Sequence, residues 1–290
     1  MNSEKRTYYR PFRSVAGFLL GIGAVSNVLT VFSMPLQLAF APMLSEELLA
    51  ELFILLSGIV IIYTYYLCKK IFLPKYVDNM FEGITPFRKG FFKCVIECVL
   101  IFAIIRVTWH YHTLLLDKYH LLEEDTSTTL SFISIIYVGI FGPIAEELVF
   151  RGWLLNVLKR YGNAVAIIIT SIGFGLFHGT LAQAFPAFII GILFAFLAIK
   201  YKSLLPVIIL HIANNLLSSM TSFDETTILL PGFKVVACFT VLYFLFVYRK
   251  EIVKVFKGMP KTFELSIHSI SFILFIIMYI VSIIITALPA

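Results

Sequence analysis

The chain has 290 residues, of which 60% are hydrophobic and 14% charged, with a formal net charge of +6. Soluble domains carry roughly 45–50% apolar and about 25% charged residues, so this composition excludes a water-soluble enzyme and points to a polytopic membrane protein with lipid as its main solvent. The positive excess reads as basic loops on one side of a bilayer, not as nucleic-acid binding.

Residues 1–13 are polar and basic, with Lys5, Arg6, Arg10 and Arg13. An apolar segment follows, at about 15–41. Ala39-Phe40-Ala41 mimics a signal-peptidase site, but the preceding apolar run is too long for a signal sequence, and an uncleaved first span is expected. Gly17 and Gly21 form a GxxxG there, a sign of close helix packing. Further apolar runs able to cross about 30 Å of hydrocarbon lie at 48–68, 91–109, 129–158, 204–220, 231–248 and 266–288. The runs at 164–178 and 184–199 are near the lower limit, and only Gly179 to Gln183 separates them. The expected fold is all-α, a transmembrane helical bundle of nine spans, or eight if one segment is re-entrant. No sustained alternation supports a barrel.

Lys and Arg fix an expected orientation. With a cytoplasmic N-terminus, the inner segments 1–13, 69–90, 159–160, 200–202 and 249–261 hold 18 of the 23 basic residues, and the outer loops hold only Lys118. The acidic loops agree: Glu46 and Glu47, Glu123 to Asp125, and Asp224 and Glu225 all fall outside. Residues 71–90 read as a partly interfacial cytoplasmic connector. No repeat or soluble domain interrupts the chain, so a single membrane domain covers 1–290, with 129–220 as its chemical core. The four cysteines, Cys68, Cys94, Cys98 and Cys238, form no CxxC or Cys/His set and read as buried, reduced packing residues.

Polar groups inside the spans are few: Glu97, Arg106, Glu146, Glu147, Arg151, His178, His211, Asn214 and Asn215. An ionisable group at bilayer depth costs roughly 2.5–3.5 kcal/mol on insertion scales and normally faces the protein interior. After a Gly142-Pro143 kink, Glu147 and Arg151 stand at i and i+4 with the acid first, the favourable order for an ion pair. Glu146 is rotated by about 100° and is left free for another helix. His178 sits in Gly173-Phe174-Gly175-Leu176-Phe177-His178, where the glycines allow close approach of a neighbour. His211 and Asn215 share one face of their span, and Asn214 falls off it. Glu97 is expected to pair with Lys93 on its own helix, and Arg106 and Lys234 are expected to snorkel.

Taken singly, each set also fits a helix-packing network. Together they offer a carboxylate and a histidine able to deprotonate water, and a histidine and an amide able to donate to an oxyanion. No serine or cysteine stands in a recognisable nucleophile setting. The residues therefore favour amide hydrolysis by water within the membrane. One point fits imperfectly. At about 1.5 Å per residue, Glu146, His211 and His178 lie at different depths, about 18, 12 and 22 Å from the inner ends of their spans. Kinks at Pro143 or Pro186, or a tilted fifth helix, would reconcile them.

Glu146-Glu147-x-x-x-Arg151, then Phe174-x-x-x-His178, then His211-x-x-x-Asn215 resembles the three-motif signature of the CAAX-protease and bacteriocin-processing family. These intramembrane endopeptidases are also called the Abi family or type II CAAX prenyl proteases. The match runs from about Gly142 to Asn215, roughly the middle quarter of the chain, and Phe150-Arg151-Gly152-x-Leu154-Leu155 extends it. The resemblance implies catalytic roles for four residues: Glu146 and His178 activate water, and His211 and Asn215 form the oxyanion hole. Glu147 and Arg151 support them. It implies no cofactor. Zinc is the alternative, since one Glu and two His are a plausible set, although HExxH is absent. The implied partners are membrane lipid and a membrane-associated peptide or protein: a prenylated C-terminus, a bacteriocin or signalling-peptide precursor, or another short membrane protein. The implied location is the cell membrane. The competing reading is a non-catalytic immunity or peptide-binding protein, or a transporter; the paired halves of a transporter are not found.

Overall fold

The computed structural model describes residues 3–77, 90–119, 121, 132–219 and 230–287. Among these residues the structure is helical throughout, with no strand. In lipid the backbone has no water to bond, so each segment closes its own hydrogen bonds as a helix.

The helices are α1 (Ser3–Phe40), α2 (Glu46–Phe72), α3 (Phe91–Lys118), α4 (Phe132–Tyr161), α5 (Asn163–Phe177), α6 (Leu181–Tyr201), α7 (Leu205–Ser219), α8 (Leu230–Val247), α9 (Arg249–Ile267) and α10 (Ile270–Ala287). Their ends follow local chemistry. The Ser45 and Thr180 hydroxyls accept the first free amides of α2 and α6, from Leu48 and Gln183. Gly162 (φ +110°) and Gly179 (φ +74°) adopt positive φ in the tight turns before and after α5.

Among the described residues four helices are long and apolar enough to cross a membrane: α1, α2, α4 and α6. The bent pair α9 and α10 raises this to five if counted as one span. The expected count of eight or nine is not confirmed. The runs at 164–178 and 204–220 form helices of only 15 residues, about 22 Å long. The third run lies in a helix that also carries Lys93, Glu97 and Arg106. The acidic loops at 123–125 and 224–225, His120, and residues 78–89 of the connector lie outside the described residues.

The second half of α4 lies at the core of the bundle. Every residue from Glu147 to Leu155 is buried, and a helical stretch buried all round belongs there. Phe18 of α1 meets the Trp153 ring edge-on, and Phe150 meets Phe174 of α5 in the same way. The glycines set the closest approaches. A Cβ on Gly175 would meet the Ala184 carbonyl oxygen of α6 at 2.7 Å, and one on Gly17 would meet the Phe72 ring of α2 at 2.7 Å. Both expected close-packing signals thus mark real helix contacts.

Several expectations about single residues are overturned. Glu97 does not pair with Lys93. It accepts hydrogen bonds from Lys200 and Tyr201 of α6 and from Tyr248, because rotation of α3 turns it inward while Lys93 is exposed. Arg106 does not snorkel. It is buried, and its Nη1 donates to Ser218 Oγ of α7 at 3.0 Å. Apart from these, His268 sits at the bend between α9 and α10, stacked on Tyr9. Cys68 and Cys94 are buried, but Cys98 is half-buried and Cys238 is exposed on α8; all four thiols are free.

Candidate active site

Proline organises the site locally. Residues Tyr137–Phe141 of α4 form a π-helical turn, with i to i+5 bonding. The Gly142 amide bonds the Tyr137 carbonyl. The next acceptor, Val138 O, would take the amide of residue 143, but Pro143 has none. The orphaned carbonyl instead accepts Asn215 Nδ2 of α7 at 3.1 Å. A second π-helical stretch, Leu148–Leu154, follows directly. Glu146 and Glu147 lie on the short α-helical piece between the two, Gly142–Glu147.

Glu147 is fully buried, and its Oε1 accepts two charge-assisted contacts. Arg151 Nη1 donates at 3.1 Å and His211 Nδ1 at 2.9 Å. The other face of the Arg151 guanidinium rests on aromatic rings, with Cζ 4.2 Å from the Phe174 centroid and 5.6 Å from that of Phe194. Glu146 differs. Its side chain is 22% exposed, and Oε2 lies 3.8 Å from His211 Nε2. The His211 ring is therefore held between the two adjacent carboxylates, one at each nitrogen. Sequence spacing paired Glu147 with Arg151 alone; the contact to His211 has no sequence signal, since it depends on how α7 is rotated.

His178 ends α5 with its Nδ1 2.8 Å from the Phe174 carbonyl oxygen. A carbonyl only accepts, so Nδ1 donates and Nε2 of the neutral ring is left as an acceptor. Phe174 is the shared platform, edge-on to His178 at 4.8 Å and to His211 at 5.8 Å between centroids.

Glu146, His178, His211 and Asn215 all line one cavity of about 460 Å³. Tyr65 of α2 and Tyr137 of α4 close it beside Glu146. The different depths counted along straight helices do not keep these residues apart, since all four line the same cavity. Asn214, set aside as off the Asn215 face, also lines the cavity and donates from Nδ2 to Asn215 Oδ1 at 3.3 Å. The doubled Asn-Asn was its only sequence signal. Among the described residues no three His, Cys, Asp or Glu side chains are grouped to hold a metal. The Nδ1 atoms of both histidines are already committed to Phe174 O and Glu147.

The geometry joins a carboxylate facing a cavity, two oriented imidazoles and an amide in one pocket of an apolar helical bundle. No curated protein and no solved structure matches the chain. Residues 128–217, which contain all three motifs, match the family model described as Type II CAAX prenyl endopeptidase Rce1-like.

Proposed function

We propose that the chain is a glutamate-type intramembrane endopeptidase of the cell membrane, with a cytoplasmic N-terminus, that cuts a membrane-associated peptide or protein. The observation that carries this reading is the His211 ring held between Glu147 and Glu146 at the wall of the cavity that His178 and Asn215 also line. The polarity of Lys and Arg along the chain supports the orientation.

In this mechanism Glu146 and the free Nε2 of His178 hold a water in the cavity. Glu146 takes its proton as the oxygen attacks the peptide carbonyl. The carbonyl oxygen becomes an oxyanion. His211, protonated and fixed at Nδ1 by Glu147, donates from Nε2, and the second Nδ2 hydrogen of Asn215 donates beside it. The first stays on Val138 O. Charge balance favours this assignment: Glu146, Glu147 and Arg151 together carry one excess negative charge, which a protonated His211 cancels. Collapse of the intermediate breaks the C–N bond, and Glu146 returns its proton to the leaving amine. No step runs through a metal. Asn214, bonded to Asn215 Oδ1, positions that amide.

The test is mass spectrometry of membrane peptides from cells expressing the wild type or Glu146→Ala at equal levels. Products present only with the wild type support cleavage and identify the substrate. Equal peptide patterns, with a phenotype that survives Glu146→Gln, would instead assign a peptide-binding protein. Cleavage lost to a chelator and restored by zinc would assign a metal-dependent version.

A further inference from the structure

α9 has an unusual surface for a chain so apolar. At about 100° per residue, Lys250, Lys254, Lys257 and Lys261 fall within an arc of about 60°, a single stripe about three turns long. The first three are exposed and Lys261 is half-buried, its Nζ near the Tyr8 and Tyr161 rings. A second arc carries Phe256, Met259, Phe263 and Ile267, all about half or more exposed. A third arc is the seat on the bundle. Thr262 and Leu265 are buried, and Gly258 closes on Ala164 of α5.

Direction supplies the second, independent observation. α9 meets α10 at 96°. α10 is an uninterrupted apolar helix of 18 residues, so if it runs along the bilayer normal, α9 lies in the plane of the membrane. Its neighbours mark the same end of the bundle as basic and aromatic. Tyr9 donates to Glu264 at 2.6 Å, Arg13 donates to the His268 carbonyl at 3.2 Å, and the Tyr161 hydroxyl donates to the Tyr8 carbonyl. Tyrosines and basic residues gather in this way where hydrocarbon meets headgroups.

We infer that α9 is an in-plane interfacial helix whose lysine stripe binds the phosphates of anionic phospholipid headgroups, while Phe256, Met259, Phe263 and Ile267 enter the acyl layer. An amphipathic helix with lysines on one face and large apolar residues on another is suited to that boundary. The two acids on α9 do not cancel the stripe: Glu251 is rotated about 100° from Lys250, and Glu264 is engaged by Tyr9. The site is separate from the cavity, so it stands or falls without the peptidase reading.

The experiment uses the full chain, purified in detergent and mixed with phosphatidylglycerol or phosphatidylcholine, with retained lipids counted by native mass spectrometry. Wild type should retain phosphatidylglycerol in preference to phosphatidylcholine, and added salt should weaken that preference. Lys250, Lys254, Lys257 and Lys261 changed together to Gln should lose it, at about fivefold in affinity per lysine, and the same four changed to Arg should keep it. Inorganic phosphate should compete weakly; full displacement by it would assign a free-anion site and overturn the lipid reading. Equal retention of both lipids by wild type, or undiminished preference in the Gln variant, would also overturn it. If the fourfold variant does not fold, Lys254→Gln and Lys257→Gln singly, with the salt titration of wild type, give the same decision.

Discussion

Glu97 and Glu146 are both carboxylates inside this bundle, and their surroundings are opposite. Glu97 of α3 is saturated. Lys200 ion-pairs with it, the Tyr201 and Tyr248 hydroxyls donate at 2.8 and 2.6 Å, and the Tyr243 hydroxyl stands 3.4 Å away. Both of its oxygens are occupied, by groups from α6, α8 and the residue that follows α8. Among the described residues Glu146 of α4 has only the long contact to His211 and otherwise faces a cavity. A carboxylate with every lone pair taken ties helices together but cannot accept a proton. One left open beside an oriented imidazole can. Chemistry in this molecule is therefore to be sought where a buried polar network is incomplete.

The contrast breaks most sharply at Glu146. Glu146→Gln should lower cleavage by about 10²–10⁴-fold, the usual contribution of a general base. Thermal stability should stay within about 0.5 kcal/mol, because no short bond is lost. Product formation by mass spectrometry and a thermal melt of the same preparation check both halves. A large loss of stability would mean that Glu146 is a second Glu97. Asn215→Ala is expected to be mixed. Cleavage should fall by about 10²–10³-fold with the oxyanion donor, and the melt should drop by about 1–3 kcal/mol because Val138 O is left unpaired. A melt that did not move would show that the Pro143 kink does not depend on Asn215.

Legibility in the sequence followed the same division. Glu146, Glu147 and Arg151 were readable because charge stands out in hydrocarbon, and helical spacing alone paired Glu147 with Arg151. The all-helical class followed from composition, and the glycines at 17 and 175 announced close contacts. Partners across helices were not readable. Lys200 looked like a loop cation, yet it reaches Glu97, 103 positions away. Asn214 looked misdirected because the helical wheel assumes a straight helix and one face for the cavity. The π turns of α4 were hidden because a proline announces a kink without stating which carbonyl it frees. The span count is not confirmed, because apolar run length ignores where a helix stops.

At the saturated end the expected signs reverse. Glu97→Gln should destabilise by about 3 kcal/mol, since it leaves Lys200 without its counter-charge in a largely buried setting. Cleavage per folded molecule should be unchanged. Urea or thermal denaturation in detergent, paired with product counts normalised to folded protein, separates the two effects. Lost cleavage at full stability would place Glu97 in the chemistry and remove the distinction.

The smallest effect discriminates most finely. Lys93 and Lys200 both lie near Glu97, but only Lys200 bonds it, while Lys93 is exposed on the helix that carries Glu97. An exposed pair on one helix contributes about 0.3–0.5 kcal/mol, whereas losing one member of a buried pair costs several times more. Lys93→Met should therefore shift the melt by no more than about 0.5 kcal/mol, and Lys200→Met by about 3. A double-mutant cycle with Glu97→Gln should find coupling with Lys200 and almost none with Lys93. Equal coupling to both lysines would mean that Glu97 belongs to a diffuse surface network, and its contrast with Glu146 would then reflect exposure alone.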